Sequence, residues 1–143
     1  LESAPTLQTA ALRLAMRGPL AGRMWAGQFR KWHPASPPAD LDEHADGLAA
    51  MMSDRGRRRA VRDTLTAHRD GLDEQIARVA LPTLVVMGGD DSHFTDPAAE
   101  GASIAAATAG TLEVIADAGH YPHVEFPDLV ASTITGFLPG APS

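Results

Sequence analysis

The apolar residues of positions 1–80 recur three and four residues apart, which is the spacing of amphipathic helices. Glycine and proline interrupt the pattern at Gly18-Pro19 and in the segment 34–38, because the residue before a proline is disfavoured in the helical region. The pattern predicts five helices, with the third beginning near Asp40 and the fifth spanning Leu72 to Val79. The apolar stripes of the first four are Leu7, Ala11, Leu14 and Ala15; Met24, Trp25, Phe29 and Trp32; Leu41, Ala45, Leu48 and Met52; and Ala60, Val61, Leu65 and His68.

From residue 81 onward the pattern predicts strands that alternate with helices. The segment Thr83-Leu84-Val85-Val86-Met87 is continuously apolar apart from its first residue, which is typical of a strand buried on both faces of a parallel sheet. Thr111-Leu112-Glu113-Val114-Ile115 predicts a second strand. Two such strands do not make a stable parallel sheet by themselves. We therefore expect the remaining strands to come from a missing N-terminal segment or from a second copy of the chain.

Two helices are predicted around the second strand. Asp96-Pro97 is typical of an N-cap followed by proline in the first turn, and the alanine-rich run that follows is expected to end at Gly110 as its C-terminal cap. Pro127 is expected to open a last helix with the buried stripe Leu129, Val130, Ile134, Phe137 and Leu138. The order indicates an α/β protein, with a helical region at residues 1–80 and a β-α-β-α unit with two parallel strands at 81–143.

Composition narrows the class of protein. The 143 residues are 44% hydrophobic and 21% charged, as in an ordinary globular chain, and the net charge is 12 − 18 = −6. An acidic balance argues against a nucleic-acid partner, and no apolar stretch approaches the ~20 residues of a membrane span. Without cysteine there is no disulfide or thiolate site. The chain begins at Leu1, and no leader sequence follows. We therefore expect it to be part of a longer, cytoplasmic protein, and whether the absent portion carries a leader stays open.

Polar side chains follow both predicted strands, in the loops 88–94 and 117–123. The carboxyl ends of neighbouring parallel strands meet at one edge of a sheet. Asp91 and His120, 29 residues apart in sequence, are therefore expected within hydrogen-bond reach of each other. A carboxylate on one imidazole nitrogen fixes the tautomer and stabilises the imidazolium that forms in general-base catalysis. The two residues are candidates for the acid and base of a nucleophilic triad.

The run Leu81-Pro82-Thr83-Leu84-Val85-Val86-Met87-Gly88, an acid three residues later, and Ala118-Gly119-His120-Tyr121-Pro122 resemble the final third of the α/β-hydrolase fold family. The resemblance covers about residues 80–138. It implies that Asp91 is the triad acid, that His120 is the base and that residues 1–80 form a lid or cap. It also implies an esterase-like enzyme that hydrolyses a small apolar carboxylic ester without a cofactor.

The family's nucleophile motif, Gly-x-Ser-x-Gly, is absent. The nearest string, Gly101-Ala102-Ser103-Ile104-Ala105, lies inside a predicted helix and follows the acid instead of preceding it. Ser103 is therefore expected to be a small helix residue, and the nucleophile is expected to lie outside this chain, which alone would be inactive. The alternative is a catalytically inactive hydrolase-like fragment that acts as a binding module. Epoxide, C–C bond and haloalkane hydrolases and cofactor-free haloperoxidases share the fold, so the reaction stays open.

Other side chains near the two loops have competing interpretations. Asp90 is the rival for the acid, His123 is expected at the rim, and Glu125 is expected to cap or pair locally near the last helix. A metal site is not predicted, because the spacing of the metal-ligating candidates matches no known ligand motif; these are Asp90, Asp91, His93, His120 and His123.

Two features of the helical region have less specific interpretations. The aromatic stripe Trp25, Phe29 and Trp32 either packs a lid on the main domain or lines an apolar wall over a substrate pocket. The basic run at positions 55–62 is expected to be a solvated helix face, since it lacks interleaved aromatic residues.

Overall fold

The computed structural model describes residues 18, 20–65, 67 and 71–138, which divide between two units. The first unit holds the described residues up to 31 and from 39 to 67, and the second holds 32–38 and 71–138. The predicted helix with the stripe Leu7 to Ala15 lies outside the described residues, as does His68. Segment 32–38 therefore packs with the strand-containing part of the chain, and the assignment of residues 1–80 to a lid stays a prediction.

The first unit contains three helices at the predicted places: α1 (Ala21–Lys31), α2 (Leu41–Met51) and α3 (Arg55–Leu65). Helices α1 and α2 approach closely at Gly22, where a Cβ atom would lie 2.6 Å from the carbonyl oxygen of Ala49. A small core surrounds Met52, which packs with Trp25. The helical spacing of apolar residues therefore predicted these elements correctly.

Helix α3 carries the basic run, and most of its arginines are exposed. Arg59 and Arg62 pair with Asp63, and Arg58 donates hydrogen bonds to the carbonyl oxygens of Met52 and Ser53. These contacts are local, as expected for a solvated helix face that also covers the end of a neighbouring helix.

The second unit is a mixed arrangement of helices around a two-stranded parallel sheet. A short helix α4 (Leu72–Ile76) precedes strand β1 (Leu84–Gly88), and helix α5 (Pro97–Ala107) connects it to strand β2 (Thr111–Ile115). The register pairs Leu84 with Thr111 and Gly88 with Ile115. Two helices follow, α6 (Pro122–Glu125) and α7 (Pro127–Phe137). The predicted α/β order is confirmed, and α6 is an element that the sequence pattern did not predict.

The sheet is less buried than its sequence predicts. Met87 lies on the face that meets α5, where a Cβ atom at Gly101 would touch its side chain, whereas Val86 lies on the opposite face with Val130 of α7. Although each face contacts a helix, the first four residues of β1 remain only half-buried. The expectation of a strand buried on both faces is therefore wrong for β1, because two strands and the few helices that contact them leave the strand edges uncovered among the described residues.

The N-terminal cap of α5 is the predicted one, whereas its C-terminal cap differs from the prediction. Asp96 Oδ1 accepts a hydrogen bond of 2.9 Å from the Ala99 N–H, as predicted for an N-cap. At the other end the left-handed residue is Ala109, with φ of 48°, and not Gly110. Gly110 instead donates its N–H to Ala105 O, which closes a Schellman motif, and a Cβ atom there would lie 2.6 Å from Thr83 O. The glycine is needed for close approach and not for a left-handed conformation.

The last helix is only partly buried. Within its predicted stripe Val130 is buried, whereas Leu129, Ile134 and Leu138 are each more than one-third exposed. The stripe was predicted as the buried face, and this is wrong for most of its members because β1 and its surroundings are too small to cover them. Among the described residues every helix is too short or too polar to cross a lipid bilayer.

Candidate active site

Two loops that follow β1 and β2 are held side by side by backbone contacts. Gly89 donates its N–H to Ile115 O, and Asp90 donates its N–H to Ala118 O, at 2.8 and 2.9 Å. A Cβ atom at Gly88 would overlap the carbonyl oxygen of Gly119, so only glycine permits this approach. The sequence Gly-Gly after β1 therefore brings the acidic loop against the loop that carries the candidate histidine.

Asp91 and His120 form a direct hydrogen bond at this junction. Asp91 Oδ2 lies 2.8 Å from His120 Nδ1. Because an ionised carboxylate can only accept, Nδ1 carries the hydrogen and the lone pair of the neutral ring is on Nε2. Asp91 is 5% exposed and the His120 side chain 34% exposed. The contact predicted from the topology is therefore present, with a buried acid and a ring that reaches solvent.

The charge of Asp91 is stabilised by its neighbours. Burial alone raises the pKa of the Asp91 carboxyl, but hydrogen bonds from His120 and from the backbone and side chain of His93 outweigh it. The net pKa of Asp91 lies below its ordinary value. The carboxylate is therefore ionised at neutral pH, as an orienting acid must be.

His93 is a second imidazole on the same carboxylate. Its Nδ1 lies 3.0 Å from Asp91 Oδ1, and its backbone N–H donates to the same oxygen at 2.9 Å. The rings of His93 and His120 are 4.0 Å apart between centroids. The sequence pattern indicated His93 only as one of the metal-ligating candidates. The Asp-x-His spacing is the signal that indicates this contact, since an aspartate commonly accepts from the N–H two residues later.

Trp32 packs against both imidazoles. Its ring centroid lies 4.8 Å from that of His93 and 5.4 Å from that of His120, and its carbonyl oxygen accepts the His120 N–H at 3.0 Å. Trp32 is buried within the second unit, whereas Trp25 packs in the core of the first. The predicted aromatic stripe is thus divided between the two units, and its last member fixes the backbone and ring of the candidate base.

Tyr121 extends the aromatic cluster. Its ring makes edge contacts with Trp32 and His120 at centroid distances of 5.9 and 5.0 Å. Burial, and then the negative charge of Asp91, raise the pKa of the Tyr121 hydroxyl. The phenol therefore stays neutral over the physiological range and can act as a hydrogen-bond donor.

Glu125 has a different role from the one expected. Its carboxylate is 4% exposed and accepts three backbone N–H groups: Gly119 at 2.5 Å, Ala35 at 2.9 Å and Ser36 at 3.2 Å. The bond from Gly119 is local, as expected, but the expectation of a purely local contact is wrong, because the other two donors are about 90 residues away in sequence. Glu125 connects segment 32–38 to the loop that holds His120.

The other candidates lie further from this centre. Asp90 is exposed, and its side chain forms no hydrogen bond or ion pair with the part of the chain that the structure describes. His123 is exposed on α6, with its ring 6.0 Å from that of Tyr121. Ser103 is exposed within α5, as expected of a helix residue. Of the five residues weighed as metal ligands, three come together in the described residues: Asp91, His93 and His120.

Searches against family models, curated proteins and solved structures find no match to this chain. The chemistry of the site is therefore argued from its geometry. A buried carboxylate that fixes the tautomer of a half-exposed imidazole can support proton transfer at Nε2.

Proposed function

We propose that the chain carries the acid and the base of a hydrolase of the α/β-hydrolase superfamily, acting on a small apolar carboxylic ester. The observation that supports this most strongly is the 2.8 Å hydrogen bond between buried Asp91 and His120. The two residues follow adjacent parallel strands, which is where open α/β sheets collect their functional groups.

In the proposed reaction a nucleophilic serine, supplied from outside this chain, attacks the ester carbonyl. His120 Nε2 accepts the serine proton and then gives it to the leaving alcohol. Asp91 holds the Nδ1–H of His120 and stabilises the imidazolium between the two transfers. Water then attacks the acyl-enzyme while His120 Nε2 accepts its proton. His120 gives this proton to the serine oxygen, which releases the carboxylic acid and free serine.

The small sheet supports a contribution from further polypeptide. Among the described residues, β1 and β2 pair only with each other, and the first four residues of β1 are half-buried. A parallel sheet of two strands is below the usual size of such sheets. Additional strands would cover these edges and bring a nucleophile beside His120.

The direct test is reconstitution with the polypeptide encoded immediately upstream. The chain and that segment are assayed on p-nitrophenyl esters, separately and mixed, in the presence of a metal chelator. We expect turnover only from the mixture. Asp91→Asn should lower it by about 10⁴-fold, since an amide that donates to Nδ1 favours the wrong tautomer of the base, and His120→Gln should abolish it.

His123→Asn is the matched control, because this exposed histidine is close in sequence but outside the hydrogen-bonded pair. It should retain the activity of the unaltered mixture. Turnover by the chain alone that Ser103→Ala abolishes would overturn the proposal. Equal turnover with and without His120 in the mixture would also overturn it.

The uncovered strands favour a second candidate, a binding module without catalysis. Unpaired backbone groups at a strand edge readily pair with another chain, and both strands of the described sheet have one such edge. The partner that we propose for these edges is a second copy of this chain, because such pairing requires no other protein. Light scattering that shows a folded closed dimer, together with a mixture inactive on esters, would favour the module over the enzyme.

A further inference from the structure

Three side chains at the junction of the two loops carry groups that ligate metals. One donor atom from each of Asp91, His93 and His120 lies within 4.8 Å of the other two. We propose that these three residues form a binding site for one zinc ion. The site involves the same junction as the proposed acid and base but does not depend on any catalytic activity.

The two distances from the Asp91 carboxylate to the imidazoles are close to those between the ligands of a zinc ion. The Asp91 carboxylate oxygens lie 2.8 Å from a nitrogen of His120 and 3.0 Å from a nitrogen of His93. Donors bound to tetrahedral zinc at about 2.0–2.1 Å are separated by about 3.3 Å. The carboxylate therefore needs to move a few tenths of an ångström away from each imidazole when zinc replaces the hydrogens between them. Donor atoms that lie as much as 4.8 Å apart need to approach by up to about 1.5 Å.

The donor set also suits zinc better than a hard cation. Two imidazoles and one carboxylate are typical of zinc sites with one open position, whereas Mg²⁺ and Ca²⁺ prefer oxygen ligands throughout. The carboxylate is buried, and both rings are about one-third exposed. An ion bound here would keep access to solvent for its fourth ligand.

The ligands are held in place before any ion binds. The backbone N–H of His93 donates to Asp91 Oδ1, which fixes the short Asp-x-His segment. The buried ring of Trp32 contacts both imidazoles and restricts their orientations. Such preorganisation lowers the cost of collecting the ligands.

Zinc binding competes with the proposed role of His120, because the ion and the transferred proton need the same Asp91–His120 pair. Zinc would therefore inhibit the reconstituted enzyme. This consequence rests on the proposed function, whereas metal binding itself does not.

The test is a calorimetric titration of the full 143-residue chain with zinc chloride after chelator treatment and dialysis. We expect saturable binding of one ion per chain. His93→Asn keeps a side-chain N–H for Asp91 but removes a metal donor, and it should weaken binding at least about tenfold. His123→Asn removes an exposed histidine outside the site and should bind as the unaltered chain does.

A second readout uses the unaltered chain alone. Zinc should shift the imidazole nitrogen resonances of His93 and His120 in NMR spectra and leave those of His123 in place. Absence of saturable binding tighter than about 1 mM would overturn the proposal. Equal affinity in His93→Asn, or resonance shifts confined to His123, would overturn it as well. Zinc binding without ester turnover would support the zinc site and contradict the proposed function. Ester turnover without zinc binding would support the proposed function and contradict the zinc site.

Discussion

Glu125→Gln is the change that most directly tests how the loop carrying His120 is held. The Glu125 carboxylate accepts from Gly119 with one oxygen and from Ala35 and Ser36 with the other. Glutamine has one accepting oxygen and one NH₂ group of nearly the same size. The amide NH₂ group will face either the Gly119 N–H or both the Ala35 and Ser36 N–H groups, so at least one buried backbone donor meets another donor.

The expected cost follows from these three bonds. A hydrogen bond to a charged group contributes about 1.5–3 kcal/mol, and a neutral one about 0.5–1.5 kcal/mol. Glu125→Gln loses at least one charge-assisted bond and weakens the rest, while the neutral amide is easier to bury. The free energy of unfolding should therefore fall by about 2–4 kcal/mol, which corresponds to roughly 6–12 °C in melting temperature for a chain of this size.

Urea denaturation followed by circular dichroism measures this change. Glu113→Gln is the matched control, because Glu113 is an exposed glutamate on β2, and its replacement should change stability by less than about 0.5 kcal/mol. Hydrogen exchange at the Gly119 amide should also accelerate in Glu125→Gln. If both variants have the same unfolding midpoint, or if exchange at Gly119 is unchanged, Glu125 does not hold this loop as described.

Two further predictions concern the backbone and the acid. Ala109→Gly should stabilise the chain by about 1 kcal/mol, because residue 109 has a left-handed φ of 48°. Ala102→Gly, inside helix α5, should instead destabilise the chain by about 1 kcal/mol. If both variants shift the midpoint of urea unfolding in the same direction, this explanation is refuted. Because the pKa of Asp91 in the folded chain lies below its ordinary value of 3.8, the ionised carboxylate stabilises the fold at pH values above 3.8. This stabilisation is lost as the pH falls through the lower pKa of the folded state. Between about pH 5 and pH 2 the unfolding free energy should therefore fall less steeply in Asp91→Asn than in Asp90→Asn, which leaves the hydrogen-bonded acid intact; equal slopes would contradict it.

Local sequence signals determined the order and position of most elements. The β-branched run Thr111–Ile115 is a strand over those five residues, and Asp96-Pro97 begins a helix with the expected side-chain cap. Such features depend on residues a few positions apart, so spacing alone predicts them. The contact between Asp91 and His120 could also be predicted from the sequence, because adjacent parallel strands bring their carboxyl ends together.

Contacts between distant segments were decided only by the tertiary structure. Nothing near Glu125 in sequence indicates that it binds the N–H groups of Ala35 and Ser36, and nothing near Trp32 indicates its packing on two imidazoles. The predicted burial of β1 was likewise too high, since the burial of a strand depends on how many neighbours its sheet has and not on its own apolar residues alone. The sequence alone thus indicated that Asp91 and His120 meet, because their positions after adjacent strands are set by local spacing. Their partners depend on chain segments that come together only when the protein folds.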